Sequence, residues 1–176
     1  MRFHEPPPLA GEPDRGHPAW MRRPGPQRGD LVVWGAHGGA GTTTLAIWLT
    51  PAWDMFSMRP ASDQRYLRAI AAGRPLLVVC RNTAWSASRA TAAVAAVTGL
   101  GGHVAALAVV SDGWPEPHTA TARFRLLGPQ VGALIRVPFV PGLRLADSPA
   151  GVPLPRAARR ALDQIGAATG RPDPIP

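Results

Sequence analysis

The stretch Leu31-Val-Val-Trp-Gly-Ala-His-Gly-Gly-Ala-Gly-Thr-Thr-Thr-Leu-Ala46 decides the fold. It opens on a short apolar run with no polar alternation, as a strand covered on both faces requires. Four glycines follow within seven residues, then three consecutive threonines that open a helical pattern. Strand, glycine loop and hydroxyl-led helix together form the layout of a phosphate cradle. Glycines let consecutive backbone N–H groups turn inward toward an anion, and a hydroxyl at the start of the helix is the usual magnesium ligand.

The same alternation continues outward from this stretch. Thr43–Leu49 reads as a helix stopped at Pro51, residues 51–61 as loop, and Ser62–Ala72 as a helix ended by Gly73. Leu76–Cys80, Val104–Val110 and Leu134–Pro138 read as further buried strands. Between them, Ser86 or Ser88 caps an Ala/Val-rich helix that Gly99, Gly101 and Gly102 terminate, and Thr119–Leu127 forms another. Apolar strands spaced by helices predict an α/β fold: a small parallel sheet of about four strands flanked by helices. Right-handed crossovers place the loops after the strands on one edge, where such sheets bind ligands.

Seven of the 21 prolines fall in residues 1–30 and seven more in 141–176. The expected division is therefore a disordered Pro-rich arm over 1–29, an α/β domain over 30–147, and a linker with a C-terminal helix and frayed end over 148–176. Within the arm, Trp20-Met-Arg-Arg23 reads either as a docking motif or as a solvated tail. The tail helix, about Arg156–Ala168, carries Ala158, Leu162 and Ile165 on one stripe, which suits docking on the sheet.

Composition excludes several classes. The formal net charge is +8, yet every basic residue is arginine and the chain has no lysine. Mechanisms that rest on a lysine ammonium, including a Schiff base or a complete Walker A loop, are thereby excluded. The charge is spread along the whole chain rather than blocked, and no DNA-binding module is legible. The lone Cys80 excludes a disulfide scaffold, and with no secretory leader legible at Met1 a cytoplasmic protein is expected. No apolar run is long enough to span a membrane. The five histidines show no metal-ligand spacing. Trp34 and Trp48 are expected in the core, Trp85 and Trp114 at the ligand edge.

The glycine loop resembles the deviant Walker A of the MinD/ParA class of ATPases, whose loop runs Lys-Gly-Gly-x-Gly-Lys-Thr-Thr. Gly38, Gly39 and Gly41 match that pattern, and Thr43 matches the magnesium-binding threonine. His37 stands at the signature lysine and Thr42 at the phosphate-binding lysine. Leu77–Arg89 resembles a late strand and helix start of that fold, Val104–Asp112 the strand leading to its base site, and Val137–Arg144 the segment before its last helix. The lysine-free loop is also similar to that of short MinD-like proteins from GC-rich bacteria, which often accompany conjugative or integrative elements.

The resemblance implies a truncated P-loop fold with a nucleotide site at Gly35, His37, Gly38, Gly39, Ala40, Gly41, Thr42, Thr43, Thr44 and Asp112. Its cofactor would be ATP or another nucleotide, with Mg²⁺ on Thr43. The departures weigh against catalysis. Both lysines are absent, no Walker B aspartate is placed, and Ser111-Asp112 stands where the class has its adenine-binding pair. The expected function is a non-catalytic or pseudo-ATPase binding module acting through a partner protein in maintenance or transfer of a mobile element. One alternative is a hydrolase completed by an arginine such as Arg81, Arg123 or Arg144, on the ligand edge or reaching across a homodimer. The other is an arginine-rich accessory protein bound to DNA non-specifically.

Overall fold

The computed structural model describes residues 30–57 and 73–171. The expected N-terminal arm, the helix expected over Ser62–Ala72 and the frayed C-terminus lie outside them.

The described chain forms a five-stranded sheet of order β2-β1-β3-β4-β5, in which every pair is parallel. The strands are β1 (Leu31–Gly35), β2 (Ala52–Ser57), β3 (Leu76–Arg81), β4 (Ala106–Val110) and β5 (Leu134–Val137). Among the described residues four α-helices flank the sheet: α1 (Thr42–Trp48), α2 (Ala84–Gly99), α3 (His118–Leu127) and α4 (Arg156–Ala168). The α/β class and the all-parallel sheet agree with the sequence. The strand count does not, because residues 52–57, expected as loop, form β2 beside β1.

Alternate side chains along each strand divide between two cores. On one face Val32, Trp34, Val78, Cys80, Leu107 and Val109 pack under α2 and α3, through Ala90, Val94 and Phe124 among others. On the other, Leu31, Val33, Leu77, Val79, Ile135 and Val137 pack under α1 and α4. Burial on both sides explains why β1, β3 and β4 lack polar alternation. Trp34 buries its indole N–H without an acceptor, a cost of about 1–3 kcal/mol that the surrounding packing offsets.

The C-terminal helix docks as its stripe predicts, with Ala158, Leu162 and Ile165 buried and Arg156, Arg159 and Arg160 exposed. Trp48 Nε1 donates to the Pro149 carbonyl at 3.0 Å. Arg171 Nη1 donates to the carbonyls of Leu49 and Pro51 at 2.9 and 2.7 Å. These contacts tie residues 149–171 to the end of α1 and the start of β2. The helix α2 is capped by neither Ser86 nor Ser88. Thr83 is its N-cap, with Oγ1 accepting the Ser86 amide at 3.2 Å. Among the described residues no helix is long and apolar enough to cross a membrane.

Candidate functional site

Because all strands run the same way, the loops after β1, β3, β4 and β5 gather at one edge. There the glycine loop turns sharply from β1 into α1. Gly39 and Gly41 take φ values of 75° and 98°, the left-handed region that only glycine enters without strain. Gly41 caps α1, so the three threonines form its first turn. At Gly35 an added Cβ would lie 2.5 Å from Thr42 Oγ1 and 3.2 Å from the carbonyls of His37 and Phe56. The loop closes on itself over this hydrogen, and no other residue type fits there without displacement.

The turn encloses a cleft of about 280 Å³ lined by the loop from His37 to Thr44, by Phe56 and Ser57 at the end of β2, and by Arg81 at the end of β3. Of the residues expected at the site, this brings together His37, Gly38, Gly39, Ala40, Gly41, Thr42, Thr43 and Thr44. Gly35 lies beneath the loop as its pivot. Thr42 is buried with its hydroxyl over Gly35, whereas Thr43 is exposed. Asp112 does not line the cleft. Its Oδ1 accepts the Trp114 amide at 2.9 Å, and its own amide donates to Asn82 Oδ1 at 3.2 Å. It shapes the turn before Gly113.

His37 is buried at the back of the cleft. Its Nε2 accepts the Arg81 amide at 3.3 Å. A backbone N–H can only donate, so Nδ1 carries the ring proton and donates to the Gly38 carbonyl at 2.8 Å. His37 thus acts as a tie between the loop and β3, and its ring also meets Trp85 edge-on at 5.0 Å.

Among the described residues, the cation of the cleft is Arg81. Its Nε donates to the Gly39 carbonyl at 3.0 Å, and Nη1 reaches the Ser111 carbonyl at 3.5 Å. These bonds hold the guanidinium over the glycine loop and leave the Nη2 protons for a ligand. The other two arginines considered from the sequence are engaged elsewhere. Arg123 Nη1 donates to the Ala84 carbonyl at 3.1 Å and to Ser88 Oγ, and Arg144 stacks over Phe139 at 4.8 Å.

Two residues emerge that the sequence did not single out. Asn82 is buried, and its Nδ2 donates to the Trp114 carbonyl at 3.0 Å while Oδ1 holds the Asp112 amide, so it ties β3 to the loop after β4. A polar pair, Asn82-Thr83, directly after an apolar strand was the available signal. Asp54, on β2, accepts the Phe56 amide through Oδ1 at 2.8 Å, while its Oδ2 is buried without a partner. Its segment was expected as loop, which hid it.

The lining offers backbone amides, the hydroxyls of Thr43, Thr44 and Ser57, and one guanidinium, a donor set that suits a phosphate group. As a magnesium centre the residues do not fit. Among the described residues the lining carries no carboxylate, and no three His, Cys, Asp or Glu side chains converge. Comparison of the chain with family models, with curated proteins and with solved structures returned no match.

Proposed function

We propose that the cleft binds the phosphate groups of a nucleotide, and that the protein is a non-catalytic, P-loop-like module of the MinD/ParA kind. On this reading it acts in the cytoplasm through a partner protein, in maintenance or transfer of a mobile element. The supporting observation is the Arg81 guanidinium, held over the glycine loop by its bond to the Gly39 carbonyl. It supplies from β3 the positive charge that the loop itself lacks. An arginine suits this role because its planar fork meets phosphate oxygens in pairs and stays charged at any physiological pH.

Binding without turnover follows from the same inventory. Among the described residues of the lining none is placed to activate water, and His37 has both ring nitrogens committed to the backbone. The test is calorimetric titration of the full chain with ATP and with pyrophosphate, each without Mg²⁺. Both are expected to bind. Arg81→Gln is expected to weaken each by about 10- to 100-fold, the worth of a hydrogen bond to a charged group. No heat at millimolar ligand, or an unaffected Arg81→Gln variant, would remove the proposal.

A further inference from the structure

Beyond the cleft, the same edge carries a second surface on the α2 and α3 side. Trp85, in the first turn of α2, is 57% exposed, and Trp114, in the loop between β4 and α3, is 76% exposed. A solvent-facing indole forgoes a large apolar burial, and two occur here on one edge of a small sheet.

Both are anchored at the backbone. The Trp114 carbonyl and amide are fixed by Asn82 and Asp112, and Trp85 follows the Thr83 cap. Two arginines flank them. The Arg89 guanidinium lies 5.1 Å from the Trp85 ring centre, and Arg123 is pinned to the first turn of α2 through Ala84 and Ser88.

The two helices carry formal charge of one sign. Neither α2 nor α3 contains an aspartate or glutamate. In the connecting loop, Asp112 holds the Trp114 amide, while Glu116 binds Arg136 at 2.7 Å and accepts the Thr121 hydroxyl. The surface therefore offers exposed flat rings beside fixed cations, with its neighbouring carboxylates engaged. Its complement is a ligand that joins flat rings through negative charges.

We propose that this surface binds single-stranded nucleic acid, with bases stacking on Trp85 and Trp114 and phosphates meeting Arg89 and Arg123. Stacking needs unpaired bases, which a duplex withholds, and it tolerates sequence because every base has a π face. An acidic protein segment would use the arginines but leave the two indoles without a purpose. The proposal does not require a ligand in the phosphate cleft, although the Trp85 ring meets His37 at the back of that cleft.

The test is fluorescence anisotropy of a labelled oligothymidylate of about 12 nucleotides, a length within known single-strand site sizes. The full-length protein is expected to bind it in a salt-dependent manner and more tightly than a duplex of equal length. Trp114→Ala and Trp85→Ala are each expected to weaken binding at least about fivefold, the low end for one stacked base. Arg89→Gln should lower the salt slope by about 0.7, as for one lost phosphate contact on a single strand. Saturating pyrophosphate at matched ionic strength should leave binding unchanged. Trp114 is the more exposed indole, so Trp114→Ala should melt as the parent does, and a melt of each variant separates lost contact from lost fold. Absent binding at low salt would overturn the proposal, leaving an acidic protein partner for the arginines. So would equal affinity for duplex, wild-type affinity in the double tryptophan variant, or displacement by pyrophosphate.

Discussion

Replacing Gly35 by alanine tests whether the glycine loop is closed as tightly as its geometry requires. The new methyl would stand 2.5 Å from Thr42 Oγ1 and 3.2 Å from two backbone carbonyl oxygens, those of His37 and Phe56. The first contact is nearly an ångström inside ordinary van der Waals distance, and the other two are a few tenths inside it. Overpacking a well-filled site costs about 1–3 kcal/mol. The upper half of that range applies here, because two of the three neighbours are backbone that moves only if β2 or the loop shifts. Thr42→Ala removes the worst contact and leaves the carbonyls. The double variant Gly35→Ala/Thr42→Ala should therefore recover about 1 kcal/mol relative to the sum of the single changes, which is the coupling expected of touching residues. Urea unfolding followed by circular dichroism measures all four corners, and an unchanged m-value keeps the comparison valid. The reasoning fails if Gly35→Ala costs less than about 0.5 kcal/mol, or if the two changes simply add. Either result would mean that Thr42 does not lie over Gly35.

Further predictions follow from the same contacts. Thr42→Lys would add an ammonium at a position that lines the cleft, so titration with pyrophosphate should show binding tightened by about 10- to 100-fold; unchanged affinity would mean that position 42 does not face phosphate. Asp54→Asn keeps the acceptor for the Phe56 amide and replaces a buried, unpartnered carboxylate oxygen. Thermal unfolding should show no loss of stability, whereas Asp54→Ala should lose about 1 kcal/mol. Burial opposes ionisation of Glu116, but hydrogen bonds from Arg136 and Thr121 and the Arg136 charge outweigh it, holding its carboxyl below the usual range. Its small contribution, under about 1 kcal/mol for a pair whose arginine is half exposed, is present above the unfolded pKa of about 4.3 and is lost as pH falls through the lower folded value. Glu116→Gln should flatten that part of an acid-stability profile. Burial first, and the charge of Glu116 second, push the Cys80 thiol up to about 12, so a thiol reagent at neutral pH should label it only at the rate of unfolding.

The central strands were legible because burial on both faces leaves unbroken apolar runs: Leu31-Val-Val-Trp34, Leu76-Leu-Val-Val-Cys80 and Ala106-Leu-Ala-Val-Val110 each pair with a neighbour on both sides. The edge strand β2 was not. Ala52-Trp-Asp-Met-Phe-Ser57 follows a proline, carries a carboxylate at its centre and lacks the branched aliphatic run, because it pairs with β1 alone and is buried mainly at Met55. The start of α2 was misread by one turn for a related reason: Thr83, Ser86 and Ser88 are chemically equivalent caps until packing fixes which side chain faces the first free amides.

Site residues divide in the same way. Contiguous sequence located the glycine loop, since glycines and hydroxyls must follow one another along the backbone to build a cradle, and it established that the loop holds no lysine. Which group brings positive charge to that loop was decided by the sheet. Parallel pairing of β1 with β3 sets Arg81 over Gly39, 42 positions away in the chain. The same pairing commits His37 Nε2 to the Arg81 amide. Exposure was likewise a tertiary outcome: Trp34 and Trp85 are one residue type, but one lies inside a covered strand and the other on the first turn of a helix facing water. Local pattern is written in neighbours along the chain, whereas convergence at a site depends on strand order and register, which are set by how whole faces pack.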